Sequence, residues 1–277
     1  MTAIAVPQAV NLQPQISCGD IAFVDYRETG SFFRNQVIFN STAVSFVLNG
    51  QKEIFRSGER TIIQEGQVLL IPEGHSLIAE HSLNADKYNS FIIFFPVQLA
   101  ADFLSGNKIK PKKIPAPAFL HFNSTPHLSG YISSLQQLIR SGHQFTEAMA
   151  QHKLHELFLA IYELFPAKFT ALFSNQQQLS LKKLVEDHLF HNLTIEELAF
   201  LANRSLSSFK RDFERTYGTS PQKYIRESKL DAARAELERG KQATELYHQY
   251  GYDNLSNFST AFKRKFGITP GTYRNRK

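Results

Sequence analysis

Between Cys18 and Phe95 the apolar positions come in short runs cut by turn residues. The runs Ile21–Tyr26, Val37–Phe39, Ala43–Leu48, Glu53–Arg56, Thr61–Gln64, Val68–Ile71, Leu77–Glu80 and Tyr88–Phe95 predict strands. Asn49-Gly50, Ser57-Gly58, Glu65-Gly66, Glu73-Gly74 and Asn84-Ala85-Asp86 separate them. Asn-Gly is a strong hairpin signal because both residues tolerate positive φ. Short strands with no helical period between them predict a sandwich or small barrel. Residues 108–118 (KIKPKKIPAPA) read as an extended, Pro-rich connector. Beyond it the period changes. Leu128, Ile132, Leu135, Leu138 and Ile139 share one helical face, as do Leu154, Leu157, Phe158, Ile161, Leu164 and Phe165. Pro166 is expected to stop the second of these helices, and residues 174–178 to form a linker. The stripe on the helix Thr146–Phe165 admits two readings: a seam between two copies of the chain, or a face packed on the β domain.

The last hundred residues contain a repeat. Phe209, Phe213, Tyr217, Gly218, Ser220, Pro221 and Tyr224 recur 49 residues later as Phe258, Phe262, Phe266, Gly267, Thr269, Pro270 and Tyr273. Each copy reads as helix–turn–helix. In the first, Thr194 and Glu197 form a capping box opening the helix Ile195–Ala202. Asn203 suits a left-handed turn, and a second helix runs from Ser205 to Tyr217 before Gly218 stops it. Phe209 and Phe213 face inward, while Ser207, Ser208, Lys210 and Arg211 lie outward with Ser205 at the start. In the second copy the helices are Thr244–Tyr250 and Leu255–Phe266 around Gly251, with Ser256, Asn257, Ser259, Thr260, Lys263 and Arg264 outward. Between the copies Ser220 caps, and Pro221 opens, a helix reaching Glu238. At 1.5 Å per residue that strut is roughly 27 Å long. Such a length could hold two recognition helices about one DNA turn, ~34 Å, apart.

Charge agrees with this division. Residues 180–277 carry 18 basic and 12 acidic side chains, the whole of the net charge of +6, and the remainder of the chain is neutral. After Asp253 there is no acidic residue, but Lys263, Arg264, Lys265, Arg274, Arg276 and Lys277 follow. A localised basic excess points to a polyanion, with a merely solvated basic face as the plain alternative. Cys18 is the only cysteine, which excludes an internal disulfide framework and suggests a reducing compartment. No signal peptide is apparent in residues 1–20, and Phe91–Phe95 is too short to span a membrane. A cytoplasmic protein with no membrane partner is expected.

Residues from about Leu179 to Arg274 resemble the DNA-binding domain of the arabinose-regulator (AraC/XylS) family of bacterial transcription factors. The residues carrying the resemblance are Leu198-Ala199, Ser205, Phe209, Arg211-Asp212-Phe213, Gly218-Thr219-Ser220-Pro221, Tyr224, Lys229-Leu230 and Ala233, then Gly251-Tyr252, Phe258-Ser259, Phe262-Lys263 and Phe266 to Pro270. The resemblance implies an activator that binds double-stranded DNA and works with RNA polymerase. It places base contacts on Ser207, Lys210 and Arg211 in the first unit, and on Ser256, Asn257 and Thr260 in the second. Two departures stand out. Leu246-Tyr247 replaces the family's Ile-Ala pair, and Thr260 stands where many members have arginine, so the second unit is expected to act more through phosphates. Gly66, Pro72 and Gly74 are similar to the second cupin motif, which implies a jelly-roll domain that senses a small-molecule or protein effector or forms a homodimer. The expected fold is therefore α+β in two domains. Residues 1–173 form a cupin-like sandwich followed by helices, and 174–277 an all-α domain with two helix–turn–helix motifs joined by a long helix.

The competing reading is a cupin-type metal enzyme fused to a DNA-binding domain. Metal cupins need a His-x-His pair, a carboxylate and a later histidine. This chain has no His-x-His; Leu77 stands at the position of the later histidine, with His75 two residues early and His81 beyond. His152-x-x-His155 and His188-x-x-His191 have helical spacing but no carboxylate or cysteine fixed beside them. A DNA-repair methyltransferase would need an activated cysteine, and Cys18 has no local His or Arg. No catalytic residue, metal or cofactor is expected.

Overall fold

The computed structural model describes residues 3–28, 31–81, 88–110, 114–174 and 181–274, and divides into two compact units, 1–178 and 179–277. The turn expected at Asn84–Asp86, residues 111–113 of the connector and residues 175–178 of the linker lie outside the described residues.

In the first unit the described strands are β1 (Ile4–Val6), β2 (Gln15–Cys18), β3 (Ile21–Glu28), β4 (Ser31–Phe39), β5 (Thr42–Asn49), β6 (Gln51–Arg56), β7 (Glu59–Gln64), β8 (Gln67–Ile71), β9 (Gly74–His81), β10 (Tyr88–Phe95) and β11 (Leu120–Asn123). They form a five-stranded sheet in the order β1-β4-β9-β6-β7 and a six-stranded sheet in the order β11-β8-β5-β10-β3-β2. Every pairing is antiparallel except β1 with β4. The strands missing from the sequence reading, β1, β2 and β11, all lie at sheet edges. Each has three or four residues and is partly exposed, so it carries almost no apolar period.

The six-stranded sheet is covered on both faces. Tyr88, Ile92 and Phe94 of β10 pack into the space between the sheets with Ile54 and Ile78. Phe91, Ile93 and Phe95 pack on the opposite side with Leu128, Leu154 and Phe158. A strand buried on both faces reads as a continuous apolar run, which is why Phe91–Phe95 is so dense. The covering helices are α1 (Val97–Gly106), α2 (Pro126–Arg140), α3 (Glu147–Leu164) and α4 (Pro166–Ser174). Pro166 ends α3 as expected, but it also opens α4, since a proline at the first helical position forfeits no hydrogen bond.

This packing corrects the seam reading of α3. Leu154, Leu157, Phe158 and Ile161 are at most 1% exposed within their own unit, and Phe158 meets Phe95 at 4.9 Å between ring centroids. Of that stripe only Leu164 is exposed, so these residues do not motivate a homodimer.

The second unit contains α5 (Leu181–His188), α6 (Ile195–Leu201), α7 (Leu206–Tyr217), α8 (Pro221–Glu238), α9 (Ala243–Leu246), α10 (Leu255–Phe266) and α11 (Pro270–Arg274). The helix expected over Thr244–Tyr250 is a shorter α9, followed by turns that bring Tyr250 N–H to Leu246 O and Gly251 N–H to His248 O. No helix among the described residues is long and apolar enough to cross a membrane.

Candidate nucleic-acid interface

The repeat is repeated as geometry. Phe209–Phe213, Phe213–Tyr217 and Phe213–Tyr224 stand 5.8, 4.5 and 5.6 Å apart. Their counterparts Phe258–Phe262, Phe262–Phe266 and Phe262–Tyr273 stand 5.9, 4.5 and 5.8 Å apart. Each cluster anchors the inner face of a recognition helix, α7 or α10, and so sets which side chains lie outside. The helix ends match as well. The Ser205 hydroxyl accepts from Ser208 N–H, and Asn254 Oδ1 accepts from Asn257 N–H at 2.8 Å. Gly218 and Gly267 close the helices at φ +69° and +83°, where a side chain would be strained.

The turns are where the copies differ. Asn203, at φ +53°, lies two residues before the cap Ser205, whereas Gly251, at φ +81°, lies three before Asn254. The second turn is therefore one residue longer. The capping box found at Thr194 and Glu197 opens α6. Its counterpart is Glu245, whose carboxylate accepts from Gln242 N–H at 2.7 Å.

On α7, Ser205, Ser207 and Arg211 are exposed, and Ser208 and Lys210 half-buried. Arg211 donates to the Ser208 hydroxyl at 3.4 Å, and Ser205 bonds the hydroxyls of Ser207 and Ser208 at 3.2 and 3.0 Å. Of the two acids near Arg211, Asp212 and Glu214, Asp212 is already engaged: it accepts from Arg204 and pairs with Arg215 at 3.4 Å. On α10, Ser256, Asn257, Thr260, Lys263 and Arg264 are exposed and Ser259 half-buried. Each helix thus presents short polar side chains flanked by cations, a surface suited to base edges and phosphates.

Lys265 does not belong to that surface. Its ammonium pairs with Asp231 at 2.7 Å, donates to Glu227 O and lies 5.3 Å from the centre of the Phe266 ring, so it ties α10 to α8. Arg204 and Arg215, which helical spacing alone did not single out, flank α7 through their shared Asp212. Arg204 and Asp212 are eight residues apart across a turn, and only the Arg215–Asp212 pair at i, i+3 was visible as a helical neighbour.

Around Gly74 the first unit holds a buried arginine. Gly74, at φ +124°, leaves room for Arg56: a Cβ there would stand 3.0 Å from Arg56 Nη2. The buried guanidinium donates to Ser76 Oγ at 3.0 Å, to His75 O and to Glu73 O. Leu77 is fully buried in the core. Burial and the Arg56 charge lower the His75 pKa. Among the described residues no three His, Cys, Asp or Glu side chains are gathered as a metal ion would need.

Comparison with known proteins places these features. Residues 42–172 match the ExsA N-terminal regulatory domain, and residues 198–276 match a helix-turn-helix domain. The HTH-type transcriptional regulator ExsA of Pseudomonas aeruginosa is 26% identical over 205 residues, 68% of this chain and 72% of that protein. The XylDLEGF operon transcriptional activator 1 of Pseudomonas putida is 35% identical over 100 residues, 34% of this chain and 30% of its own. Among solved structures, an apo ToxT from Vibrio cholerae aligns over 94% of this chain and 98% of its own, at 14% identity and a TM-score of 0.46.

Proposed function

We propose that this chain, whose residues 198–276 match a helix-turn-helix domain, is a transcription regulator of the AraC/XylS family and activates transcription by setting α7 and α10 in successive major-groove segments of one operator. The observation that carries this is the duplicated aromatic cluster, which gives both helices the same inner anchor and the same polar outer face. Ser207, Lys210 and Arg211 read bases from α7. Ser256, Asn257, Ser259 and Thr260 supply short contacts from α10, with Lys263 and Arg264 on phosphates. The Pseudomonas putida relative is a transcriptional activator, and an activator of this kind has RNA polymerase as its partner, in the cytoplasm.

The first unit is the regulatory part, answering a small molecule or a protein partner and performing no catalysis. Its match to the ExsA regulatory domain over residues 42–172 supports that division of labour. Selection from a pool of random duplexes with the full-length protein tests the DNA reading. The recovered sequences are expected to carry two blocks about 10.5 base pairs apart, one helical turn. Recovery of a single block, or no enrichment, would overturn it.

A further inference from the structure

A helix of fixed length sets how far apart two recognition helices stand, but it does not by itself stop the second helix–turn–helix from tilting about the helix end. A further connection is needed for a rigid pair. In this domain the segment between α5 and α6, residues 189–193, supplies one. At its start His191 N–H returns to His188 O at 3.0 Å, and the two Nδ1 atoms stand 3.0 Å apart, folding the segment back on itself. Tyr217, at the end of α7, donates to Lys182 O at 3.3 Å and ties α5 to the recognition helix of the first helix–turn–helix.

The same segment reaches the second helix–turn–helix. Lys229 of α8 donates to Asn192 Oδ1 at 3.0 Å, directly beside the turn of the second helix–turn–helix. A Cβ on Gly251 would stand 2.8 Å from Asn192 Oδ1 and 3.3 Å from Lys229 Nζ. Gly251 therefore serves two demands at once, a left-handed φ of +81° and close approach of this pair. The Phe190 ring stands 6.3 Å from Tyr250, the residue before that glycine. Lys229 is partly withdrawn from water, which lowers its pKa and increases its need for the Asn192 acceptor.

We infer that Asn192 and Lys229 are positioning residues that lock the second helix–turn–helix against the first, and so fix the spacing of the two DNA blocks this protein accepts. Neither residue is among those assigned to DNA. The inference rests on the proposal that both helix–turn–helix motifs bind one duplex. Rigid coupling raises the effective concentration of the second helix–turn–helix once the first is bound, and a loosened joint forfeits part of it.

The test uses the full-length protein and the duplex it enriches from a random pool, with versions carrying one block only, or one base pair inserted between blocks. Asn192 is exposed, so Asn192→Ala should fold normally, which a thermal midpoint checks. It is expected to bind the two-block duplex about tenfold more weakly, bind each single block unchanged, and tolerate the inserted base pair better than the parent. Lys229→Met should behave alike, while Asn192→Asp, which keeps an acceptor for Lys229, should restore parental binding and spacing. Equal losses on one-block and two-block duplexes, or no loss at all, would overturn the inference. A parent protein that binds one block as tightly as two would instead overturn the proposal, on which it stands, that both helix–turn–helix motifs bind one duplex.

Discussion

Arg211 and Lys263 are both exposed cations on recognition helices, yet their surroundings suit them to different contacts. Arg211 lies beside the hydroxyl cluster of α7, and its neighbour Asp212 is taken up by Arg204 and Arg215. A bidentate arginine–guanine contact is worth roughly 1–3 kcal/mol of discrimination. Arg211→Ala is therefore expected to weaken binding to the selected duplex much more than to random DNA. Lys263 lies in the last turn of α10 among other cations. Lys263→Ala should weaken both DNAs by similar factors and reduce the slope of log affinity against log salt by about 0.9. Titrations of both variants at several salt concentrations check the pair; equal losses for Arg211→Ala on the two DNAs would count against α7 as the main reader.

His188 makes a prediction about pH. It is 1% exposed, and burial first, then the charge of His191, lowers its pKa from 6.5 to about 4. The folded unit holds it neutral, so as pH falls below about 6.5 the unfolded chain takes up the proton first. This contribution is complete above that pH and is lost by up to about 1.4 kcal/mol per pH unit towards the folded pKa. The urea midpoint of residues 179–277 should fall between pH 7 and pH 5, and His188→Asn should flatten the fall. Identical pH slopes in parent and variant would assign the effect elsewhere.

At the scale of elements, the two sheets are joined by a polar cluster at one end of an otherwise apolar interior. Lys52 of β6 is 3% exposed; its ammonium pairs with Glu80 of β9 at 3.1 Å and donates to Ser45 of β5, in the other sheet, at 3.2 Å. Tyr26 of β3 donates to Glu80 across the same gap at 2.9 Å. Removing one charge strands the other. Lys52→Met is expected to cost roughly 3 kcal/mol by chemical denaturation, and the double change Lys52→Met, Glu80→Leu to recover most of it. Two losses that simply add would show the charges are not coupled. The α3 stripe gives a second test. Leu157 is fully buried within its own unit, so Leu157→Ala should destabilise by about 2–5 kcal/mol and leave the sedimentation coefficient of the folded protein unchanged. A variant that stays as stable but dissociates would return the stripe to an interface.

For the whole molecule, charge and packing divide the chain at the same place. Residues 1–178 and 179–277 form separate compact units, and the net charge of +6 lies in the second. Phosphate neutralisation supplies most of the affinity for DNA, so residues 179–277 alone should bind the selected duplex with strong salt dependence. Residues 1–178 should not bind it. Binding by the first fragment at the level of the whole chain would overturn this assignment.

The recognition helices were legible in the sequence because their signals are local. A cap bonds a backbone group three residues away, an aromatic pair meets its neighbour one turn on, and a glycine stops its own helix. The strands with a buried face, from Ile21 to Phe95, were legible for the same reason: burial writes a short-range pattern. What that pattern could not say is what each face is buried against. The stripe Leu154, Leu157, Phe158 and Ile161 reads alike whether it meets its own sheet or another molecule, and only the two-sided burial of β10 decided it. The edge strands β1, β2 and β11 owe their form to partners far along the chain, Leu120 pairing with Leu70 and Ile4 with Val37, and so leave almost no period of their own. The same holds for single charges. Nothing near Lys265 in sequence distinguishes it from Lys263, but Asp231 and Glu227, more than thirty residues earlier, draw it away from the outward face of α10. Asn192 lies beside Lys229 and Gly251, 37 and 59 residues further along the chain, only because the tertiary fold brings the two helix–turn–helix motifs together. Local chemistry determined which helices this protein would make; contacts between distant segments decided which of their side chains are left to face a partner.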